Sequence, residues 1–539
     1  MRRYGMTRRG FLLGSSGALT GALGARLLWA DAVRAAATGG SLTIAMPADS
    51  EPASLDGQVD PYVSAWLLNS FVTDPLVLLN SSGKYVPLLA TGWTTSAEGR
   101  LWTLPLRRGV TFQDGTPFDA EAVKFNIDRV MNPETHSALM ASYLGVKSFL
   151  KTEVVDRYTV RAIYSSPVPA LLYGLSIFPL WSPAAVSQFG GSFQQHLVGE
   201  GAFKLDGWIR GDNVRFVKNP AYHGGRPWQE HEGPAYLDSI TVRFVGDQGV
   251  LGQILKTGEA NFVAGLPAQA VATYASNPAY SLVAGYQSGN GMMFSMNAGR
   301  APLDDVRVRR ALRYAYDQDR MNQTLYGGSY VTVKGPLTKY TLYYWKGADS
   351  AYRLDPSRAS SLLDEAGWKN NPRTGVREKD GKPLALTIVM LHHKEIGEYL
   401  AAQLRGIGVE LRVEVVPGPV QLQRALNGDF DIIYERLRSY EPDILFDEFY
   451  SKNYRPGGWA WTRYQNAVLD KVLLETQSTT DRVRRQALFA EAQKIVTEQA
   501  LYLPTLDDPQ YYAMMKKVRG FRLGATGSWY FLNDISVEK

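Results

Sequence analysis

Two arginines, Arg436 and Arg438, are the residues whose type and spacing most directly indicate a binding chemistry. A guanidinium is a planar fork of N–H donors that binds a carboxylate or phosphate through two parallel hydrogen bonds. In an extended segment, residues two apart project from the same face, so the pair would concentrate positive charge at one place. The alternative is an internal ion pair of Arg438 with Glu441 or Asp443. The pair therefore predicts either an anion-binding surface or a local salt bridge.

Residues for catalysis or metal binding form no comparable pattern. The six histidines are scattered apart from His392 and His393, which would point to opposite faces of a strand and make a poor metal clamp. The sequence has none of the motifs of serine hydrolases, phosphate-binding loops or zinc proteases. We therefore expect no enzyme activity, no cofactor and no metal site. Because 52 acidic residues permit many carboxylate pairs, a periplasmic hydrolase is the less favoured alternative.

The composition is that of a globular protein with more than one domain. Hydrophobic residues make up 45% and charged residues 20% of the 539 residues, and single cores rarely grow beyond ~300 residues. The net charge is +6, but residues 1–37 carry six arginines against one aspartate, so the remainder carries +1. Nucleic acid is therefore not an expected partner. The lack of any cysteine excludes a lipid-modified one, so we expect no membrane anchor.

Residues 1–37 have the organisation of an export signal: a basic start, a Gly-rich and mildly apolar stretch, and small residues before a cleavage site near Ala37. The segment Thr7-Arg8-Arg9-Gly10-Phe11-Leu12 resembles the twin-arginine signal, which exports folded proteins. An ordinary secretory signal is the alternative. Both predict a periplasmic location.

The elements that must position Arg436 and Arg438 follow from the hydrophobic periodicity. We expect a strand at 41–45, a strand pair over 101–118 around an Asp-Gly turn, and a helix capped by Asp119. Further helices should begin after Asp305, Asp355 and Asp481. Between 384 and 434 the pattern alternates strand and helix, which predicts an α/β lobe with a largely parallel sheet.

Several motifs together resemble the family 5 bacterial solute-binding proteins, the dipeptide, oligopeptide, nickel and opine receptors of ABC importers. Their order and spacing match over nearly the whole chain after the leader. The matching segments are 89–93 (LATGW), 102–121 (WTLPLRRGVTFQDGTPFDAE), 198–203 (VGEGAF), 219–227 (NPAYHGGRP), 305–312 (DVRVRRAL), 362–368 (LLDEAGW), 380–384 (DGKPL) and 426–431 (LNGDFD).

The resemblance implies an α/β, bilobal periplasmic-binding-protein fold of type II, of the large peptide-binding kind with an inserted small domain. The domains would be a discontinuous lobe I (38–76, 198–300 and 501–539), the inserted domain (77–197) and lobe II (301–500). The implied function is capture of a peptide or peptide-like solute by lobe closure and delivery to permease and ATPase subunits. A nickel-chelate, haem, or opine or sugar-conjugate receptor is the alternative within the family, and we expect a monomer.

The resemblance also implies cleft residues. In peptide-binding relatives the segment after the Asn-Gly-Asp-Phe-Asp run lines the cleft, and relatives commonly place an aspartate for the ligand's ammonium where this chain has Arg438. We therefore expect a cargo with an anionic group and poor binding of free-amine dipeptides. The implied ligand-binding residues are Tyr434, Arg436, Arg438, Tyr440, Trp459, Trp461, Tyr464 and, from the small domain, Tyr143.

Overall fold

Two separate β-sheets divide the chain into two lobes. The computed structural model describes residues 39–60, 63–80, 82–227, 229–454, 459–527 and 530–538, and the predicted export signal at 1–37 lies outside them. A seven-stranded sheet forms the part that we call lobe I, a five-stranded sheet forms lobe II, and a four-stranded sheet forms the small domain. The predicted bilobal α/β fold is therefore confirmed.

Lobe I is built on a mixed sheet whose central strand, Ser41–Pro47, pairs in parallel with both of its neighbours. The strands in spatial order are Tyr280–Gly285, Gln510–Met515, Phe262–Ala264, Ser41–Pro47, Ser239–Val245, Asn213–Lys218 and Phe203–Ile209. Its helices are Val63–Val72, Gln248–Leu251, Ile254–Thr257 and Ala268–Ala275. Short strand pairs join Val518–Arg519 to Ser536–Val537 and Arg522–Leu523 to Tyr530–Phe531.

The small domain carries the residues expected to form a strand pair over 101–118, and that expectation is only half right. Leu101–Pro105 is a strand, but its partners are Thr94–Thr95 and Thr159–Tyr164. The Asp-Gly turn exists, yet it closes a single bridge between Thr111 and Pro117. The other strands are Phe149–Asp156 and the hairpin Val77–Leu79 with Tyr85–Pro87, and the helices are Ala120–Met131, Ala138–Tyr143 and Leu171–Ile177. The helix Pro183–Phe189 follows them and packs on the core of lobe I.

Lobe II has a mixed sheet rather than the largely parallel one expected. Ala385–Met390 runs parallel to Glu410–Val415 and Ile432–Glu435, but Met293–Met296 runs antiparallel to Ile432–Glu435 and to Tyr502–Pro504. Small sheets add Val331–Thr332 with Leu506–Asp507, and Lys369–Asn370, Arg377–Lys379 and Lys382–Pro383. The helices are Val306–Tyr314, Gln318–Tyr326, Ala348–Ala351, Pro356–Glu365, Lys394–Arg405, Gly418–Asn427, Ile444–Phe449, Ala467–Ser478 and Arg482–Glu498.

The two lobes are joined at segments 286–292 and 505–509. Two strands of lobe II, Met293–Met296 and Tyr502–Pro504, therefore come from residues that we expected in lobe I, before 301 and after 500. Because both strands are short and apolar, their sequence does not reveal which of the two sheets they join.

Local signals position the helices as expected. The Asp119 carboxylate accepts from the Ala122 amide at 3.2 Å, Asp305 from Arg307 at 2.8 Å, and Asp481 from Val483 at 2.9 Å. These caps satisfy backbone donors that a helix leaves unpaired at its start. Each lobe and the small domain then has its own buried hydrophobic core. Among the described residues, no helix has the length and apolar character needed to cross a membrane.

Candidate functional site

Polar side chains lie at the carboxyl ends of the lobe II strands, where the chain crosses to lobe I. Ala385–Met390, Ile432–Glu435 and Tyr502–Pro504 run in one direction, so their following residues meet at one edge, which we call the cleft edge. Ligand sites in open α/β sheets lie at such edges. The side chains that follow these strands there are His392, Arg436, Arg438, Asp507 and Asp508.

Arg436 and Arg438 converge on one aspartate of the chain itself, a partner that their spacing did not predict. Arg438 binds Asp507 through both terminal nitrogens, at 2.7 and 3.2 Å. Arg436 binds Asp507 at 3.2 Å and also contacts Asp508, which lies 3.5 Å from Arg438. Burial raises the pKa of Asp507, and Arg436 acts against that rise by stabilising the carboxylate. The cluster therefore combines two guanidinium groups with two carboxyl groups.

Arg438 is paired within the protein, but the expectation that its partner would be Glu441 or Asp443 is wrong. Glu441 and Asp443 instead bind Arg485, at 3.0 and 2.6 Å. The reason is that residues 436–438 follow the strand Ile432–Glu435 as irregular backbone and meet the crossing segment at Asp507.

Tyr434 and the two histidines lie beside this cluster. Tyr434 is buried, and its hydroxyl is 3.1 Å from His392 Nε2. The His392 and His393 rings touch, with centroids 4.7 Å apart, rather than pointing to opposite faces. The strand ends at Met390 and His393 has a left-handed φ of 60°, so strand geometry does not apply to them. In the part of the chain that is described, no three His, Asp or Glu side chains gather to hold a metal ion.

The small domain reaches lobe II across the cleft. The Tyr85 hydroxyl donates to Glu441 at 2.7 Å, and the Tyr440 hydroxyl donates to the Gly83 carbonyl at 3.2 Å. Burial raises the pKa of Glu441, whereas Arg485 and Tyr85 stabilise its charged form. Tyr85, Glu441 and Arg485 thus connect the small domain to the interior of lobe II.

Tyr143 occupies the small-domain wall that faces lobe II. Its ring contacts Trp66 and Tyr173 edge to face, with centroids 5.9 and 5.4 Å apart. Burial, followed by the nearby charge of Asp447, raises the pKa of Tyr143 to about 12. Asp447 belongs to the lobe II helix Ile444–Phe449, so Tyr143 lies at the same domain contact as Tyr85.

The three remaining predicted residues pack mainly within lobe II. Trp461 is 4% exposed among Val389, Ala425, Phe430 and Ile433, so a ligand-facing role for it is not supported and the residue is reassigned to the core. Trp459 stacks on it with centroids 5.0 Å apart and is 38% exposed. Tyr464 packs with the helical core of lobe II. An alternation of aromatic residues does not distinguish a binding wall from a core.

Sequence reasoning missed Asp507, Asp508, Tyr85 and Tyr173. Their partners lie far away in sequence: Asp507 is 69 residues from Arg438, and Tyr85 is 356 residues from Glu441. One local signal was present for Asp507 and Asp508, because two adjacent acids shortly after the apolar strand Tyr502–Pro504 indicate a polar segment at its end.

Comparison with known proteins identifies the family. The family model described as "Bacterial extracellular solute-binding proteins, family 5 Middle" matches residues 84–456. The chain is 30% identical to the glutathione-binding protein GsiB of Salmonella paratyphi A over 473 residues, which cover 86% of this chain and 89% of that protein.

Two solved structures show the same fold. NikA from Brucella suis in complex with Fe(III)-EDTA is 24% identical, with a TM-score of 0.79 over 92% of this chain and 100% of that chain. DppA from Helicobacter pylori in complex with the peptide STSA is 21% identical, with a TM-score of 0.74 over 94% and 100%. GsiB and DppA are named as binding proteins. The chain belongs to family 5 of the bacterial extracellular solute-binding proteins, the solute-capturing components of ABC importers.

Proposed function

We propose that this protein binds a zwitterionic peptide-like solute and that glutathione is the first candidate. The observation that carries the proposal is the mixed-sign cluster at the cleft edge. The side chains of Arg438 and Asp508 are 21% and 35% exposed, so a solute would meet a guanidinium and a carboxylate there and would share or displace the contact of Arg438 with Asp507. Glutathione has two carboxylates and one ammonium group, so it offers a partner of opposite charge to both the guanidinium and the carboxylate. The name of the relative GsiB supports the same choice.

The binding step would be closure of the cleft around the solute. A ligand that contacts both lobes favours the closed form by its differential affinity for it. The contacts from Tyr85 and Tyr440 across the cleft are of the kind that closure makes. The closed protein would then deliver its cargo to permease and ATPase subunits, with no covalent chemistry.

We further propose export by the twin-arginine route and a monomer in the periplasm, supported by the arginine pair at residues 8 and 9.

The role of Arg438 is tested by calorimetry on the chain without its leader. Glutathione is expected to bind, and Arg438→Ala to weaken binding by about 2 to 5 kcal/mol because a solute carboxylate loses the guanidinium that would pair with it. Free-amine dipeptides are expected to bind more weakly than glutathione, because they carry one carboxylate fewer. Arg412→Ala is the control, since Arg412 is exposed and paired with Glu414. Unchanged glutathione affinity in Arg438→Ala, or binding of dipeptides as tight as that of glutathione, would contradict pairing of Arg438 with a solute carboxylate. Mass spectrometry should recover the glutathione intact, whereas cleavage products would identify a hydrolase.

The proposed closure of the cleft is tested by replacing Tyr85. Tyr85→Phe is expected to weaken glutathione binding about tenfold, since hydrogen bonds to charged groups contribute about 1.5 kcal/mol and 1.4 kcal/mol is a factor of ten. Tyr344→Phe is the matched control, because the Tyr344 hydroxyl donates to Asp349 at 2.6 Å within lobe II. Small-angle scattering should show less compaction by glutathione in Tyr85→Phe than in the control. Equal affinity and compaction in the two variants would contradict a role in closure.

A further inference from the structure

Leu437, the residue between Arg436 and Arg438, is held at both of its backbone polar groups by Asn290. The Leu437 amide donates to Asn290 Oδ1 at 2.7 Å, and the Asn290 amide donates to the Leu437 carbonyl at 3.1 Å. Residues 436–438 are irregular backbone, so their position depends on contacts of this kind. These two hydrogen bonds, which we call the Asn290 clamp, therefore fix the backbone that carries both arginines.

Glu448 sets the orientation of the Asn290 side chain. Asn290 and Glu448 are 0% and 1% exposed. The Leu437 amide needs an acceptor, so the carbonyl oxygen of the Asn290 side chain faces it, and the side-chain nitrogen donates to Glu448. A flipped side-chain amide would place two donors against each other at Leu437. Glu448 thus supports the Asn290 clamp from the helix Ile444–Phe449.

A second contact positions the same segment. Gly289 has a φ of +120°, and a Cβ atom there would lie 2.1 Å from the Leu437 carbonyl oxygen and 3.0 Å from the Arg438 Cα. The chain that crosses between the lobes is therefore in close backbone contact with the segment that carries Arg438, an approach that glycine allows. The Leu437 side chain packs against the helical core of lobe II. Since the flanking arginines contact Asp507, Leu437 is the residue that anchors them.

We propose that Asn290 is a positioning residue for recognition of the solute's carboxylate. It acts by fixing Arg438 through the Leu437 backbone, and Glu448 holds its side chain in the required orientation. A planar guanidinium pairs well with a carboxylate only when its direction is fixed. The preference of the site for an anionic group then depends on two buried residues. This inference rests on the proposed function, in which Arg438 pairs with the carboxylate.

The first test uses Asn290→Leu, which keeps most of the side-chain volume and removes both functions of the amide. The chain without its leader is titrated calorimetrically with glutathione and with glutathione diethyl ester, which keeps the ammonium group and has no free carboxylate. Wild type is expected to prefer glutathione by about tenfold, and Asn290→Leu to reduce that preference to about twofold. Asn126→Leu is the matched control, since buried Asn126 binds the amide and carbonyl of Trp181 at 2.9 and 2.8 Å. It should keep the wild-type preference.

Two variants of Glu448 provide a second test, which is independent of whether Asn290→Leu folds. Glu448→Met removes the acceptor for the Asn290 side chain and should reduce the preference for glutathione over its ester. Glu448→Gln retains an acceptor oxygen and should preserve the preference. A loss of stability alone would lower the folded fraction equally for both ligands and leave the ratio of their affinities unchanged.

Hydrogen exchange separates this inference from the proposed function because it needs no ligand. Mass spectrometry of peptides that span residues 436–438 should show exchange about tenfold faster in Asn290→Leu than in wild type or Asn126→Leu. Unchanged exchange, or an unchanged affinity ratio in Asn290→Leu and Glu448→Met, would overturn the inference while the proposed function stands. If wild type does not bind glutathione although exchange rises as expected, the proposed function is wrong and the positioning of Arg438 by Asn290 is retained.

Discussion

Replacing Arg485 by methionine is expected to lower the free energy of unfolding by about 3 to 5 kcal/mol. Arg485 is 4% exposed and binds Glu441 at 3.0 Å, Asp443 at 2.6 Å and the Thr476 carbonyl at 3.2 Å. Glu441 is itself 3% exposed. Removing the guanidinium leaves a buried carboxylate without its cation, and methionine keeps most of the side-chain volume. The loss of unfolding free energy therefore reports the missing positive charge rather than a cavity.

The adjacent arginine is the matched control. Arg484 binds Glu475 on the surface, with side chains 54% and 35% exposed. Exposed ion pairs contribute about 0 to 1 kcal/mol, so Arg484→Met should leave stability nearly unchanged. Denaturant unfolding of the two variants at pH 7 gives the comparison. Similar losses of unfolding free energy in Arg485→Met and Arg484→Met would show that the buried ion pair contributes no more than the exposed one. Since Glu441 also accepts from Tyr85, Arg485→Met should in addition weaken glutathione binding.

Local features of the fold were predictable because their causes are local. A capping carboxylate such as Asp305 needs only an amide two or three residues away, and the apolar stripe after it fixes the buried face of the helix. The same holds for the helices after Asp119 and Asp481. Such signals place an element and its buried side, but they contain no information about the remote strand or helix that packs against it.

Pairing between distant segments was not predictable from one sequence. The strand Leu101–Pro105 was recognised, but its main partner is Thr159–Tyr164, more than fifty residues later. The candidate site has the same limitation. The spacing of Arg436 and Arg438 predicted that they act at one place, whereas Asp507 reaches them only because the chain returns through the lobe junction. Trp461 was misjudged because burial depends on neighbours such as Phe430 and Ile433.

A buried pair of glutamates predicts an unusual dependence of stability on pH. Glu435 and Glu448 are 2% and 1% exposed. Glu435 accepts from Ser295 and Glu448 from Asn290, while the other oxygen of each has no hydrogen-bond partner among the described residues. Burial raises the pKa of both groups, and Glu435 further raises that of Glu448. The folded protein therefore keeps a proton that the unfolded chain releases near the ordinary pKa of 4.5.

Because the folded-state pKa is the higher one, the stabilising contribution is complete below about pH 4.5 and is lost as pH rises towards the folded-state value. One retained proton corresponds to a slope of about 1.4 kcal/mol per pH unit. Glu448→Gln keeps a neutral group of the same shape at every pH and should remove much of this slope. The variant is thus expected to gain about 2 to 4 kcal/mol relative to wild type between pH 5 and pH 8.

Denaturant unfolding at several pH values measures this gain, with Glu475→Gln as the control because Glu475 lies at the surface in its pair with Arg484. The difference between variant and wild type removes the effect of titrating groups that do not interact with Glu448, whereas Asp447, whose pKa burial raises to about 6, also raises the pKa of Glu448 and contributes to the difference. If the curves of Glu448→Gln and wild type run parallel from pH 5 to pH 8, the two glutamates do not hold an extra proton in the folded state. If they diverge as expected, Glu435 and Glu448 hold at least one extra proton in the folded state, and that proton contributes to the stability of the fold.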